Sequence, residues 1–171
     1  MNMIKKSVEE AINKQINAEF YSGYMYLSMA AYFESINLSG FANWMHVQAL
    51  EEQDHGMKFY RYLEERGGRN RLLPIEEPPF EWNSPLDVFE KALEHEKKVT
   101  GMINDLVELA RSEKDYPTEN LLQWFVDEQV EEEATADEIV EKLKMVKDHP
   151  HALLMLDRDL GGRSAGSEEE E

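Results

Sequence analysis

The sequence predicts an all-α protein: a four-helix bundle with one long crossover between the second and third helices, followed by a short fifth helix. Three observations lead there. Apolar residues recur every three and four positions over four long stretches, alternating β-branched runs are scarce, and the connections between the stretches run short, long, short.

The first helix is expected from Ser7, a suitable N-cap with Glu10 three residues on, to about Ile36, where "NLSG" interrupts the pattern. The second opens at Ser39 or Gly40 and closes at "RGGR", with Gly67 and Gly68 supplying the C-terminal cap. Ser84 followed by Pro85 opens the third, which runs to about "SEKDYP". Thr118 opens the fourth, which reaches about Val146, and Pro150 to Leu160 is a short amphipathic fifth. Connections of a few residues make antiparallel hairpins of the first pair and of the second pair. Residues 69–83, "RNRLLPIEEPPFEWN", can span roughly 50 Å when extended. A helix of about 27 residues is roughly 40 Å long, so the linker can cross the whole bundle. The bundle with its fifth helix is assigned to residues 1–160, and the tail 161–171, "GGRSAGSEEEE", is expected to be disordered and outside it.

Composition narrows the function. A formal net charge of −18 at pH 7 argues against nucleic acid and anionic membranes as partners and favours cations. The absence of cysteine removes disulfides, thiolate metal sites and cysteine nucleophiles, and fits a reducing cytoplasm. The charged first twenty residues and the lack of any run of about eighteen apolar residues give neither a signal peptide nor a membrane helix.

Acidic residues interrupt every apolar stripe at mid-length. Glu19 lies within Val8, Ile12, Ile16, Gly23, Tyr26, Ala30 and Phe33, while Glu52 and His55 lie within Phe41, Trp44, Met45, Phe59 and Leu63. Glu96 lies within Phe89, Leu93, Thr100, Ile103 and Val107, and Gln129 and Glu132 lie within Phe125, Ala136, Ile139 and Leu143. Glu19 to Glu52 and Glu96 to Gln129 are both 33 residues, and Glu52 to His55 and Gln129 to Glu132 are both three. The chain therefore reads as a duplicated hairpin, each copy giving one group from its first helix and a pair on one face of its second. A single glutamate on a helix is usually solvated, and a single histidine on an apolar face is usually a hydrogen-bonded core residue. Several carboxylates gathered in one interior are another matter, because each pair at 4 Å repels by about 4 kcal/mol at an effective dielectric constant of 20. A cation relieves that repulsion, and oxygen ligands with one imidazole suit divalent first-row metals.

The segments "INAEFYSGYMYLSMAAYF", "EEQDH", "EHEK" and "LLQWFVDEQVEEE" resemble the ferritins, specifically the non-haem ferritins of bacteria and archaea, over about residues 3–160. The resemblance implies a ferritin-like fold, oxidation of Fe(II) by dioxygen or peroxide at a di-iron ferroxidase centre, and storage of the ferric mineral in a cage, usually of 24 subunits. Residue by residue, it implies that Glu19, Glu52 and His55 hold the first iron. Glu52 as bridge, Glu96 and Glu132 serve the second, with Gln129 a weak neighbour. A third iron site matches Glu51, Glu128 and Glu131, with Glu132 open to sharing. Tyr26 matches a tyrosine beside the centre, as electron donor or hydrogen-bonding group, with core packing the plain alternative; Trp124 matches a nearby tryptophan. His46, His95, His149 and His151 show no partner pattern and are assigned no role. Bacterioferritins resemble a second Glu-x-x-His where this chain has Gln129 and Glu132, and place a haem-ligating methionine where it has Gln53, so no haem is expected.

The all-round apolar stretch "FYSGYMYLSMAAYF" exceeds what one bundle buries and implies a subunit interface. Two rivals share parts of the pattern. A rubrerythrin-like peroxidase carries a rubredoxin module that needs four cysteines, and a DNA-protecting mini-ferritin takes its ligands across an interface and lacks a fifth helix.

Overall fold

The computed structural model describes residues 3–166. Five helices follow in order: α1 (Lys6–Ser35), α2 (Ser39–Glu65), α3 (Pro85–Ser112), α4 (Tyr116–Val146) and α5 (Pro150–Leu160), with no strand among the described residues. α1 packs mainly on α2, and α3 on α4, as two hairpins.

Three helices end alike. Gly67, at φ +68°, lets Gly68 N–H reach Leu63 O at 2.8 Å and its own N–H reach Glu64 O at 3.1 Å, the paired bonds of a Schellman cap. Asn37 and Lys114 close α1 and α3 with the same two bonds at φ +61° and +54°. At the helix starts, Ser84 Oγ accepts from Asp87 N–H as expected.

Two expected starts shift. Ser7 does not cap α1; the N-cap is Lys5 without a side-chain bond, and Ser7 Oγ instead donates to Glu113 Oε1 at 2.9 Å. α4 begins at Tyr116 rather than Thr118, because Asp115 accepts from Thr118 N–H and so caps the turn that contains Pro117. On α3 the inward stripe is Val88, Phe89, Ala92, Val99, Ile103 and Leu106, with Leu93, Thr100 and Val107 half-buried at its margin.

The crossover is held along α1 by polar clips. Asn13 Nδ2 donates to Arg69 O and its Oδ1 accepts from Arg71 N–H, Asn17 Nδ2 donates to Leu73 O and Pro74 O, and Ser28 Oγ donates to Pro79 O. These bonds satisfy carbonyls that an irregular segment cannot pair with itself.

α5 docks against the start of α2. Asp157 Oδ1 accepts from Phe41 N–H at 2.9 Å, so a carboxylate from α5 caps the first turn of α2. Gly40 makes the approach possible, since a β-carbon there would lie 1.7 Å from Asp157 O. The tail expected outside the fold begins against it: Asn43 Nδ2 donates to Arg163 O at 2.9 Å, and the Arg163 guanidinium lies 4.5 Å from the Trp44 ring centre. Residues 167–171 lie outside the described residues.

The apolar interior is two cores. One joins Phe33, Phe41, Phe89, Met45 and Leu143; the other joins Ile12, Phe59, Leu63, Ile103 and Phe125. Between them lies a polar layer.

Candidate metal centre

Each helix brings its mid-length polar residue to that layer. Glu19, Glu52, His55, Glu96, Gln129 and Glu132 are all between 1% and 8% exposed. Ligand atoms of Glu19, Glu52 and His55 lie within 4.8 Å of one another, as do those of Glu52, Glu96 and Glu132, and those of His55, Glu128 and Glu132. Glu52 belongs to the first two sets, so one carboxylate faces two neighbouring positions.

Neutral donors share out the carboxylate oxygens. Gln15 Nε2 donates to Glu19 Oε1 at 2.8 Å, and Gln48 Nε2 donates to both Glu52 Oε1 (3.0 Å) and Glu132 Oε2 (2.7 Å). Tyr26 Oη donates to Glu96 Oε1 at 2.5 Å, and Gln129 Nε2 donates to Glu96 Oε2 at 3.2 Å. Glu19 Oε2 is buried without a hydrogen-bond donor and points toward His55 Nδ1 at 3.9 Å. An orphaned carboxylate oxygen is costly unless a cation completes it.

Burial, then the Glu52 charge, pushes the Glu19 carboxyl well above its usual range. Burial and Glu96 do the same to Glu52, and burial with Glu52 and Glu96 does it to Glu132. Glu96 is also raised by burial, against the opposing hydrogen bonds from Tyr26 and Gln129. The Tyr26 phenol is raised by burial and by Glu96, which keeps its proton on the oxygen that donates to Glu96.

These raised values fix a sign. The folded protein keeps protons that the unfolded chain releases near the usual value of 4.5, so the cost of the layer is absent below that pH and grows as pH rises through the raised values. The melting temperature of metal-free Glu52→Gln minus that of wild type is expected to widen from about pH 5 to about pH 8. Zn(II) binding should release protons in a weakly buffered titration, because ligands bind deprotonated. A flat difference and no proton release would show that these carboxylates are already ionised.

His55 Nδ1 stands 3.4 Å from Glu52 Oε2, and Nε2 stands 3.9 Å from Glu128 Oε1. A neutral imidazole binds a cation through one nitrogen only, so coordination through Nδ1 leaves Nε2–H facing Glu128, which then orients the ring. The edge of Trp124 lies against His55 with centroids 5.4 Å apart, and Lys58 Nζ sits 3.4 Å above the Trp124 ring centre.

The third expected set is brought together more loosely. Glu51, Glu128 and Glu131 line one open cavity of about 410 Å3 with His55, Asp54, Trp124 and Asp127, but Glu51 and Glu131 join none of the tight ligand sets. Glu131 is exposed, while Glu51 and Glu128 are half-buried. Of the histidines without an expected role, His95 places Nε2 2.7 Å from Ser22 Oγ, and burial lowers its pKa to about 4.

The sequence reading missed Gln15 and Gln48. A signal was present within the first hairpin, where each precedes its glutamate, Glu19 or Glu52, by four residues; the second hairpin has Ala92 and Phe125 at the matching positions, so the duplication itself does not point to them.

The chain matches the Ferritin family description, "Ferritin-like domain", over residues 9–146. It is 44% identical over 161 residues to the bacterial non-heme ferritin of Bacteroides fragilis, covering 94% of this chain and 100% of the relative. It is 38% identical over 166 residues to that of Staphylococcus aureus, covering 97% and 100%. Among solved structures, the open pore ferritin of Archaeoglobus fulgidus superposes with a TM-score of 0.95 at 55% identity, covering 96% of this chain and 100% of that one.

Proposed function

The chain belongs to the ferritin-like family, and from that premise we propose that Glu19, Glu52, His55, Glu96, Gln129 and Glu132 form its di-iron ferroxidase centre. It is an iron-storage protein that oxidises Fe(II) to Fe(III) and holds the ferric product inside a multi-subunit cage. The observation that carries the assignment is the sharing of Glu52 between two buried ligand sets. Two Fe(II) ions flanking one carboxylate can together supply the two electrons that reduce dioxygen to peroxide, while each iron becomes ferric.

Glu19 and His55 complete the first position, with the undonated Glu19 Oε2 as one of its oxygens. Glu96 and Glu132 complete the second, with Gln129 holding Glu96 in place rather than binding iron strongly. Tyr26 holds Glu96 from the other side, which supports reading it as a hydrogen-bonding group or electron donor beside the pair. A third iron has Glu51, Glu128 and Glu131 along its cavity, with Glu132 beside Glu128.

Two apolar surfaces support assembly as a 24-subunit cage. Tyr24, Leu27 and Leu50 are exposed and line a groove with Phe20, Gly23 and Gln53, and Met145, Leu154 and Met155 are exposed at the α4–α5 end. Among the described residues no helix is long and apolar enough to cross a membrane. A cytoplasmic setting is our reading, supported by the acidic, cysteine-free composition.

Adding Fe(II) in air to the purified protein, while following ferric absorbance and particle mass together, tests the whole reading. Fast oxidation within a particle of cage mass that grows heavier with iron is the expected result. A monomer or dimer, or ferric iron appearing only at the rate of protein-free solution, would overturn it.

A further inference from the structure

One carboxylate of the cavity that holds the third set, Glu51, is already paired with a cation from the C-terminal segment. Arg163 Nη2 donates to Glu51 Oε2 at 2.7 Å, and Nη1 donates to Gln48 Oε1 at 2.9 Å. Both members of the ion pair are largely buried, at 17% side-chain exposure each, and Trp44 lies against the guanidinium. Five carboxylates line the cavity, from Glu51, Asp54, Asp127, Glu128 and Glu131, and Gly166 of the same C-terminal segment forms part of its rim. Glu19, Glu52, Glu96 and Glu132 accept from amide and phenol groups, and Arg163 brings a cation to the edge of this network from the C-terminal segment.

We propose that Arg163 is a displaceable counter-ion: it occupies Glu51 in the metal-free protein and yields when a divalent cation enters the outer cavity. Guanidinium and metal compete for the same carboxylate, and a fixed positive charge beside a dication repels it. The segment that carries Arg163 can let go. Residues 161–166 have no helix of their own; backbone bonds from Gly161, Gly162 and Arg163 continue them from the end of α5, and contacts to Asn43, Gln48, Glu51 and Trp44 lay them on α2.

The contact also reaches the centre. Gln48 accepts from Arg163 through Oε1, which fixes the amide so that Nε2 donates to Glu52 and Glu132 at once. Arg163 is thus a positioning residue for the pair as well as a competitor for the third ion, and its release couples filling of the outer cavity to the donors around Glu52.

The proposal rests on the reading of Glu51, Glu128 and Glu131 as a third metal site, so the test separates the two. Zn(II), which is not oxidised, is titrated calorimetrically into metal-free wild type, Arg163→Gln and Arg163→Lys cages of verified mass, and amide exchange of residues 161–166 is measured with and without Zn(II). The expected result is a third Zn(II) per subunit bound about tenfold tighter in Arg163→Gln, the scale of one lost charge-assisted hydrogen bond. Arg163→Lys should fall between, and wild-type exchange in 161–166 should quicken on Zn(II) loading. Three ions bound with unchanged or weaker affinity in Arg163→Gln would overturn the counter-ion role alone. Two ions in both proteins would overturn the third site and this proposal together. If Arg163→Gln does not assemble, wild-type exchange decides: unchanged or slower exchange on loading refutes displacement.

Discussion

Glu52→Gln is expected to abolish fast Fe(II) oxidation while leaving the metal-free protein as stable as wild type or more so. The carboxylate is 2% exposed, its pKa is raised by burial and by Glu96, and it accepts from Gln48 at 3.0 Å. An amide in its place can still accept that bond through its oxygen, and it removes one charge from a crowded layer. The same exchange takes away the one carboxylate that belongs to both of the ligand sets proposed for the iron pair. Loss of even an outer partner of a metal ligand costs about 10–100-fold in affinity or activity, so loss of the shared ligand should cost at least about 100-fold in oxidation rate. Metal should correspondingly raise the melting temperature of wild type more than that of the variant, since a ligand stabilises only the state that binds it. Stopped-flow oxidation and thermal melts with and without Zn(II) check both halves. A variant that is several kcal/mol less stable without metal, yet oxidises iron at the wild-type rate, would make Glu52 a structural hydrogen-bonding group.

Gly40→Ala is expected to undock α5 and break the cage. Its β-carbon would lie 1.7 Å from Asp157 O and 2.5 Å from Asp157 C, both backbone atoms that no rotamer change can move aside. Either α5 shifts bodily, losing the cap that Asp157 gives Phe41 N–H, or the start of α2 deforms. Overpacking of this kind costs about 1–3 kcal/mol. The displaced helix also carries Leu154 and Met155, two of the three exposed residues of the apolar end surface read as an assembly contact. Light scattering should show smaller particles. The ligands proposed for the iron pair lie at mid-bundle, so Zn(II) binding there should survive. Full-sized cages with an unchanged melting temperature would show that α5 docks elsewhere in the assembly.

The helices and the buried polar cluster at their centre were legible in the sequence because both are written as periods. Apolar spacing gave the four long helices and the short fifth, Gly67 marked an end that needs positive φ, and the repeated 33-residue interval picked out Glu19, Glu52, Glu96 and Gln129. Contacts between distant segments left no such trace. Ser7 resembles a cap but is drawn to Glu113, across more than a hundred residues, and Asp115 rather than Thr118 sets the start of α4. Arg163 sits in a Gly- and Ser-rich context that reads as unfolded, yet its charge finds Glu51, 112 residues earlier. The outer carboxylates were nameable only through resemblance: half-solvated acids carry no periodicity of their own, and Glu51 and Glu131 stand apart from the tight sets.

The two-hairpin layout has a kinetic consequence. Each hairpin turns through only three residues, 36–38 or 113–115, and can close locally, whereas bringing the hairpins together must close the long crossover loop and should come later. Glu19, Glu52 and His55 all belong to the first hairpin, so that half alone carries the makings of one iron position; Glu96 and Glu132 arrive only when the second half docks. A lone ferrous ion has a single electron to give, and one-electron reduction of dioxygen yields superoxide. Pairing therefore depends on completed folding, and the two-electron route to peroxide opens only once the second hairpin has docked on the first.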